Sequence, residues 1–152
     1  MAFLSSINMI GSGLTAQQLR LDIVAENVTN AQTTRTENGE GPYRRKMVVF
    51  EARDGREDFR SALARAAGRA VPAKEVGGGV RVTQIAEDPS PFKLVYDPAH
   101  PDANEEGYVE MPNVDSVKEM TDAMAATQAY SANVTIFNTL KTVVSKGLEI
   151  GK

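Results

Sequence analysis

The chain contains, at residues 123–140, the stretch AMAATQAYSANVTIFNTL, which has no Asp, Glu, Lys or Arg. Its first stretch, MAFLSSINMIGSGLTAQQL at residues 1–19, also lacks charged side chains. Both stretches repeat apolar residues at helical spacing and predict an amphipathic helix at each end of the chain. An exposed helix normally carries charges opposite its apolar stripe, but here those positions hold Ser, Thr, Asn and Gln. Because neutral polar groups cost less to bury than unpaired charges, we expect both helices to contact protein on more than one side.

The N-terminal helix is predicted over residues 4–31. Apolar residues recur in it at every seventh position, namely at Ile7, Leu14, Leu21 and Val28. Gly11 and Gly13 weaken the first turns, because each Gly costs about 1 kcal/mol relative to Ala in a helix. We therefore expect this helix to need packing partners in order to be ordered along its full length.

The C-terminal helix is predicted over residues 113–150, with Asn113 as its N-cap and Asp115 in its first turn. Its apolar stripe extends along the helix through Val117, Met120, Ala123, Met124, Thr127, Tyr130, Val134, Phe137, Leu140, Val144 and Leu148. Two helices with matching stripes predict a coiled-coil-like hairpin. Uncharged polar residues are expected to point away from the stripes, at Gln17, Gln18, Gln128, Asn133 and Asn138.

The middle of the chain has β character. Strands are predicted from β-branched composition and period-two alternation at residues 46–52, 80–86, 92–96 and 108–111. The third strand is expected to pair with the second across the turn at residues 88–91. Residues 33–42 are expected to form a loop, and residues 56–69 a short helix.

These elements together predict an α+β fold. Long N- and C-terminal helices would pair with each other, and a small β-rich domain would be inserted between them. The predicted helical domain comprises residues 1–34 and 113–152, and the predicted β-rich outer domain comprises residues 35–112.

Composition limits the functions that the chain can have. A net charge of −3 gives no electrostatic reason to expect a nucleic-acid partner. The chain contains no Cys, which excludes disulfides, thiolate metal sites and a Cys nucleophile. No apolar run reaches the roughly 18 residues of a membrane-spanning candidate. The first residues lack the positive charge of a secretory signal, so we expect no cleaved signal peptide.

The strongest candidate for chemistry is the segment 97–106, which holds the only His of the chain and four carboxylates. These groups include the residue types that a metal site or a general acid–base pair requires. A lone His between Pro98 and Pro101, without a second fixed ligand, is more typical of a rigid turn with solvated acids. We therefore predict no catalytic residue, no metal ligand, no cofactor and no small-molecule substrate.

Several motifs along the chain resemble the flagellar rod and hook proteins of bacteria. The N-terminal signature of that family is matched by AENVTNA at residues 25–31, TTR at 33–35 and PYRRK at 42–46. Four further segments resemble the proximal-rod members of the family: GVRV at residues 79–82, SPFKLVYDP at 90–98, HPDANEEGYV at 100–109 and MPNVD at 111–115. The resemblance covers nearly the whole chain and is weakest at residues 56–75.

The resemblance implies terminal helices that pack side by side into a tube around an axial export channel. It implies a structural subunit of the proximal rod, which spans the periplasm within the basal body and transmits torque to the hook. The implied partners are the other proximal and distal rod proteins, further copies of the chain, and the flagellar type III export apparatus. The β-rich domain would lie outside the tube and touch neighbouring subunits.

We predict that the assembly interface uses residues on the two helices: Leu14, Gln17, Gln18, Leu21, Asn27, Asn30, Gln128, Tyr130, Asn133, Phe137 and Asn138. An alternative function is that of a soluble helical adaptor or export chaperone of a type III secretion system. Such a chaperone would be expected to carry charged outer helix faces, which these helices lack. A hydrolase built on residues 97–106 would need a pocket and a second set of polar groups.

Overall fold

The computed structural model describes residues 2–36, 41–53, 63, 66–68 and 78–150. Within these residues, two long helices flank four short strands in the order α1 (Ala2–Thr29), β1 (Lys46–Ala52), β2 (Val80–Glu87), β3 (Lys93–Tyr96), β4 (Tyr108–Met111) and α2 (Ser116–Ile150). This order confirms the α+β class. The helix predicted over residues 56–69 lies outside the described residues, apart from Leu63 and residues 66–68, where Ala67 donates its N–H to the carbonyl of Leu63.

The strands of the described chain form two two-stranded sheets, one from β1 and β2 and one from β3 and β4. β3 and β4 are antiparallel, and Tyr96 lies opposite Tyr108. The expectation that β3 pairs with β2 is therefore wrong. Pro89 and Pro91 lie between β2 and β3. Because proline has no backbone N–H to donate, this segment is poorly suited to close a regular hairpin.

The start of α2 is set by Asp115, whose Oδ1 accepts a hydrogen bond from the N–H of Val117 at 3.0 Å. Asp115 is therefore the N-cap, and the assignment of that role to Asn113 is wrong. The Asn113 side chain instead accepts from the N–H of Arg45 and donates to the carbonyls of Asp88 and Ser90. This side chain therefore ties the residue before β1 to the segment after β2.

The buried face of α1 differs from the predicted repeat. The most buried described residues of α1 are Ala16, Ile23, Val24 and Asn27. Val28, the last residue of the predicted repeat, is 46% exposed. The burial of a polar side chain beside an exposed Val was not expected from hydropathy, and it is explained below by the partners of Asn27.

The buried face of α2 also lies away from part of its predicted stripe. Glu119 and Ala126 are buried, whereas Val117, Met120 and Met124 are 76%, 66% and 61% exposed. The first part of the predicted stripe is therefore a solvent-facing surface of this chain. Within the described residues, no helix is both long and apolar enough to cross a membrane.

The chain divides into two compact units. Unit 1 comprises Met1–Ala16, Phe50–Thr83 and Tyr130–Lys152, and unit 2 comprises Gln17–Val49 and Gln84–Ala129. Each unit therefore contains part of α1 and part of α2. The domain boundaries suggested by the sequence stay a prediction.

Candidate assembly surfaces

The segment around the only His is held by contacts within unit 2. Asp102 accepts hydrogen bonds from Thr34 Oγ1 at 2.8 Å and from the Arg35 guanidinium. The Arg35 hydrogen bond, followed by that of Thr34, lowers the pKa of the Asp102 carboxyl. The N–H of Asp102 donates to His100 Nδ1 at 3.1 Å. The strongest sequence candidate for chemistry is thus a loop whose polar groups bind the segment that follows α1.

An open cleft of about 480 Å³ lies beside this contact, and Arg35, Asp102, Asn104, Tyr108 and Glu110 are among its lining residues. Arg35 and Asp102 are already paired with each other across it. Among the residues that the structure describes, no three His, Asp or Glu side chains are grouped as metal ligands.

A buried polar cluster occupies the centre of unit 2, and we call Asn27, Tyr43, Arg45 and Glu119 the junction cluster. Asn27 is 1% exposed and all four hydrogen-bonding positions of its amide are used. Its Oδ1 accepts from Tyr43 OH and from the N–H of Lys46, both at 2.9 Å. Its Nδ2 donates to the Lys46 carbonyl at 2.9 Å and to Glu119 Oε2 at 3.0 Å. A buried amide is tolerated because every polar atom has a partner.

Glu119 is the most deeply buried charged residue, with no exposed surface in the described chain. Its Oε1 accepts a hydrogen bond from Arg45 Nε at 2.6 Å. The Arg45 guanidinium also lies 3.5 Å from Asp88 Oδ2 and 3.3 Å from Asp122 Oδ2. Removing either member of such a buried pair leaves an uncompensated charge in a poorly solvated place.

Two further groups extend the cluster towards solvent. Arg20 on α1 pairs with Asp122 on α2 at 3.0 Å, and both side chains are about one-third exposed.

Burial, and then the neighbouring Glu26 carboxylate, raises the pKa of the Tyr43 phenol. Tyr43 therefore stays neutral at physiological pH, and its OH donates a hydrogen bond to Asn27.

The sequence contains a signal for this cluster that the periodic patterns of apolar residues do not show. Three of its members fall in motifs that carry the family resemblance: Asn27 in AENVTNA, and Tyr43 and Arg45 in PYRRK. Glu119 falls in none of these motifs and lies off the predicted apolar stripe of the C-terminal helix. An amide set among apolar helix residues, as Asn27 is between Val24 and Val28, was the observation that could have predicted a buried hydrogen-bond network.

The outward face of α2 is uncharged along most of its length. Eight exposed residues recur at alternating spacings of four and three, which places them on one face: Val117, Thr121, Met124, Gln128, Ser131, Thr135, Asn138 and Thr142. A face of this period and composition is suited to contact another protein surface, because no charge has to be desolvated.

The threonines of α2 satisfy their own hydroxyl donors. Oγ1 donates to the carbonyl four residues earlier, at 2.8–3.0 Å, in Thr121, Thr127, Thr135, Thr139 and Thr142. A protein surface that covers these side chains therefore has no unpaired hydroxyl proton to compensate.

The sequence-predicted interface residues of α1 occupy different environments. Leu14 and Leu21 are half-buried, and Gln18 is exposed. Gln17 is half-buried rather than outward-facing, and its Oε1 is buried without a hydrogen-bond partner among the described residues. Asn27 belongs to the junction cluster.

Beyond the end of α1, Asn30 is half-buried and bonded locally. Its Nδ2 donates to the Glu26 carbonyl, and its Oδ1 accepts from Thr33 Oγ1. It therefore helps to close the C-terminal end of α1.

The predicted interface residues of α2 also separate into two groups. Gln128 and Asn138 are exposed, and Phe137 is 38% exposed. Tyr130 and Asn133 are half-buried. The expectation that Asn133 points away from α1 is wrong, because a Cβ placed on Gly13 would lie 3.0 Å from Asn133 Nδ2. Gly13 therefore permits the two helices to approach closely at this position.

The sheet formed by β3 and β4 exposes large apolar side chains on the face that also carries Glu110. Leu94 and Tyr96 are 64% and 65% exposed, and Tyr108 is 40% exposed. The rings of Tyr96 and Tyr108 meet edge to face, with centroids 5.3 Å apart. Val109 points to the other face and is buried. The structure thus has a second surface, outside the helices, that presents large apolar side chains to solvent.

Comparison with known families matches both ends of the chain. Residues 7–35 match the family described as flagella basal body rod protein, and residues 105–150 match the flagellar basal body rod FlgEFG protein C-terminal family. The junction cluster takes Asn27 from the first match and Glu119 from the second.

Full-length relatives give a narrower result. The chain is 49% identical over 150 residues to the flagellar basal-body rod protein FlgC of Bacillus subtilis, with 97% of each chain covered. It is 43% identical to FlgC of Borreliella burgdorferi, with 99% of this chain and 98% of the relative covered. It is 41% identical to FlgC of Escherichia coli O6:H1 over the full length of both. The chain belongs to the FlgC family of flagellar basal-body rod proteins.

Membership in the FlgC family identifies the chain as a structural subunit of the bacterial flagellar basal-body rod. The adaptor or chaperone alternative is not favoured. The uncharged helix faces are therefore interpreted as surfaces of an assembling subunit.

Proposed function

We propose that the chain assembles helically in the proximal rod, around an axial export channel, and transmits torque to the hook. The observation that carries this proposal is the outward face of α2, which is exposed in the single chain and uncharged from Val117 to Thr142. In the assembled rod this face would be covered by neighbouring subunits or would line the channel. Both environments suit neutral side chains, and the threonine hydroxyl donors among them are already bonded.

A second element of the proposal is coiled-coil-like pairing of the terminal helices. It is supported in unit 2 by the contacts of Arg20 with Asp122 and of Asn27 with Glu119. It is supported in unit 1 by the close approach of Asn133 to Gly13. In the rod, residues 1–34 and 113–152 would then form the helical domain, and residues 35–112 the outer domain.

The partners proposed are other proximal and distal rod proteins and further copies of the chain. The exposed face of the β3–β4 sheet, with Leu94, Tyr96 and Tyr108, is suited to touch a neighbouring subunit outside the tube. We further propose delivery through the flagellar type III export apparatus without a cleaved signal, to a rod that spans the periplasm. The proposed role is mechanical and involves no catalysis.

The decisive experiment measures whether the outward face of α2 becomes covered on assembly. Because the chain has no Cys, single Met124→Cys and Asn138→Cys variants each introduce the only thiol. Both positions are exposed in the single chain, so a bulky maleimide should label them rapidly in the free subunit. Labelling should be strongly slowed in purified basal bodies.

The free subunit is the matched control for each variant, since it carries the same thiol. Retained swimming of the Cys variants establishes that the rods being labelled are functional. Equal labelling of free and assembled subunits at both positions would contradict the proposal, because the face would then be solvated in the rod.

A further inference from the structure

The apolar core of unit 2 is small for a unit that has to stay folded. Its buried hydrophobic residues within the described chain are Ile23, Val24, Tyr43, Val109, Val114 and Ala126. Arg45 and Glu119 lie at the same depth. Because a small core contributes little hydrophobic free energy, the junction cluster decides whether this unit is ordered.

The junction cluster joins three segments that are remote in sequence. Asn27 lies near the end of α1, Arg45 precedes β1, and Glu119 lies in the first turn of α2. Asn27 and Arg45 each contact the Glu119 carboxylate, through different oxygens. A fully connected buried network forms as a whole, since a partly formed one leaves buried polar groups without partners.

The position of the cluster on the helices has a kinetic consequence. Fixing the first turn of a helix is unfavourable, whereas adding residues to an existing helix is much easier. The cluster holds the C-terminal end of α1, and it holds the N-terminal end of α2, where Asp115 also caps the helix. From these fixed ends, α1 can lengthen only towards residue 2 and α2 only towards residue 150.

We infer that the junction cluster is a preformed helix nucleus in the free subunit. Residues 20–29 and 116–126 are helical before the subunit meets the rod, and the rest of α1 and α2 grows from them when neighbouring subunits cover their faces. The second half of this inference rests on the proposed function, but the nucleus itself does not. Docking then requires helix extension without new nucleation.

Hydrogen exchange on the full-length free subunit tests the nucleus. Amides in residues 20–29 and 119–126 should exchange at least about tenfold more slowly than those in residues 4–12 and 140–149. Glu119→Gln should reduce this protection by about tenfold in both helices together, because it leaves Arg45 without its buried counter-charge. Glu105→Gln is the matched control, since Glu105 is an exposed carboxylate of the same unit, and it should change nothing.

A gentler variant keeps the test decisive if Glu119→Gln unfolds the whole unit. Asp122→Asn removes a partly exposed partner of Arg20 and Arg45, so it should lower protection less, yet in both helices. Uniform exchange along α1 and α2 in the unchanged subunit would overturn the inference. So would a loss of protection confined to α2 in both variants. The two proposals can fail separately. If exchange at the nucleus is slow in the free subunit but the α2 face stays solvated in basal bodies, the inference of a helix nucleus stands and the proposed function is rejected.

Discussion

Unit 2 and unit 1 are built on different chemistry, although each contains part of both helices. Unit 2 buries Arg45 and Glu119 and gives their charged groups partners within the same unit. In unit 1, an apolar pocket of about 150 Å³ lies between Ile7 and Phe137, Leu140 and Val144. The junction cluster of unit 2 is satisfied internally, whereas unit 1 contains apolar space that its own side chains do not fill.

Large apolar side chains are exposed along the helices of both units. In unit 2, Val117, Met120 and Met124 are 76%, 66% and 61% exposed. In unit 1, four such side chains are at least half exposed: Leu4 at 59%, Ile136 at 50%, Val143 at 61% and Leu148 at 70%. Exposed apolar surface on this scale is typical of a face that another protein covers. The comparison indicates that unit 2 is held together by its own polar contacts, and that both units expose apolar surface for a neighbouring protein to cover.

The largest effect should come from a charge in the apolar part of unit 1. Phe137→Asp should abolish rods and swimming, because burying an unpaired carboxylate costs several kcal/mol. Phe137 is 38% exposed in the single chain, so hydrogen exchange in unit 2 should not change. Basal-body yield from cells lacking their own copy of the gene measures the effect, with Phe137→Leu as the control that keeps the side chain apolar. Normal rods with Asp at this position would contradict the assembly role of unit 1.

The next effect concerns the buried pair of unit 2. Arg45→Met should lower the free energy of unfolding by about 3–5 kcal/mol, because Glu119 keeps its charge without a counter-ion. Urea denaturation of the purified chain measures this loss. Arg81→Met is the control, since the exposed pair of Arg81 and Glu51 should contribute less than about 1 kcal/mol.

A double change sharpens this prediction. Arg45→Met combined with Glu119→Met should be more stable than Arg45→Met alone, because no buried charge is left unpaired. If the double variant were the less stable of the two, the loss in Arg45→Met would have to come from packing rather than from charge.

A smaller effect on stability, but a clear one on swimming, should follow from charges on the outward face of α2. Gln128→Lys and Asn138→Glu should each change the free energy of unfolding by less than about 0.5 kcal/mol, since both residues are exposed. Swimming and basal-body yield should nevertheless fall. Full motility with both charges present would mean that this face is solvated in the rod.

The smallest effect concerns acid. Hydrogen bonds from Ser90 lower the pKa of Asp88, and those from Arg35 and Thr34 lower the pKa of Asp102, from an ordinary value of 3.8. A carboxyl whose pKa is lowered by folding stabilises the fold above its unfolded pKa, and this contribution is lost as the pH falls through the folded pKa. Stability measured by thermal melting should therefore decrease below about pH 4. Asp102→Asn should make this decrease shallower, whereas an unchanged profile would assign no such role to Asp102.

Much of the fold followed from periodicity, because period-two and helical patterns report local backbone geometry. The four strands and both helices were predicted near their observed positions. The pairing of β3 was predicted wrongly, because the shorter connection to β2 was favoured over the longer connection to β4. Pairing depends on contacts between remote segments, which a local pattern does not contain.

The candidate site shows the same limit. Exposed Gln128 and Asn138 were identified from their lack of charge, which is a local property. Glu119 was missed, because an acid on a helix is ordinarily solvated, and only the contact with Arg45 allows this one to be buried. The orientation of the Asn133 side chain towards Gly13 was also missed, since it depends on how closely the two helices approach each other.

The charge-free outward face of α2 also affects the colloidal behaviour of the free subunit. Surface charges keep protein molecules apart, and a net charge of −3 on this chain supplies little repulsion. None of that charge lies on the eight outward residues between Val117 and Thr142, so two free subunits can approach there without electrostatic cost. Light scattering of concentrated samples should therefore show self-association at protein levels where Gln128→Lys stays monomeric. A cell that stored many finished subunits before export would face precipitation through the same surface.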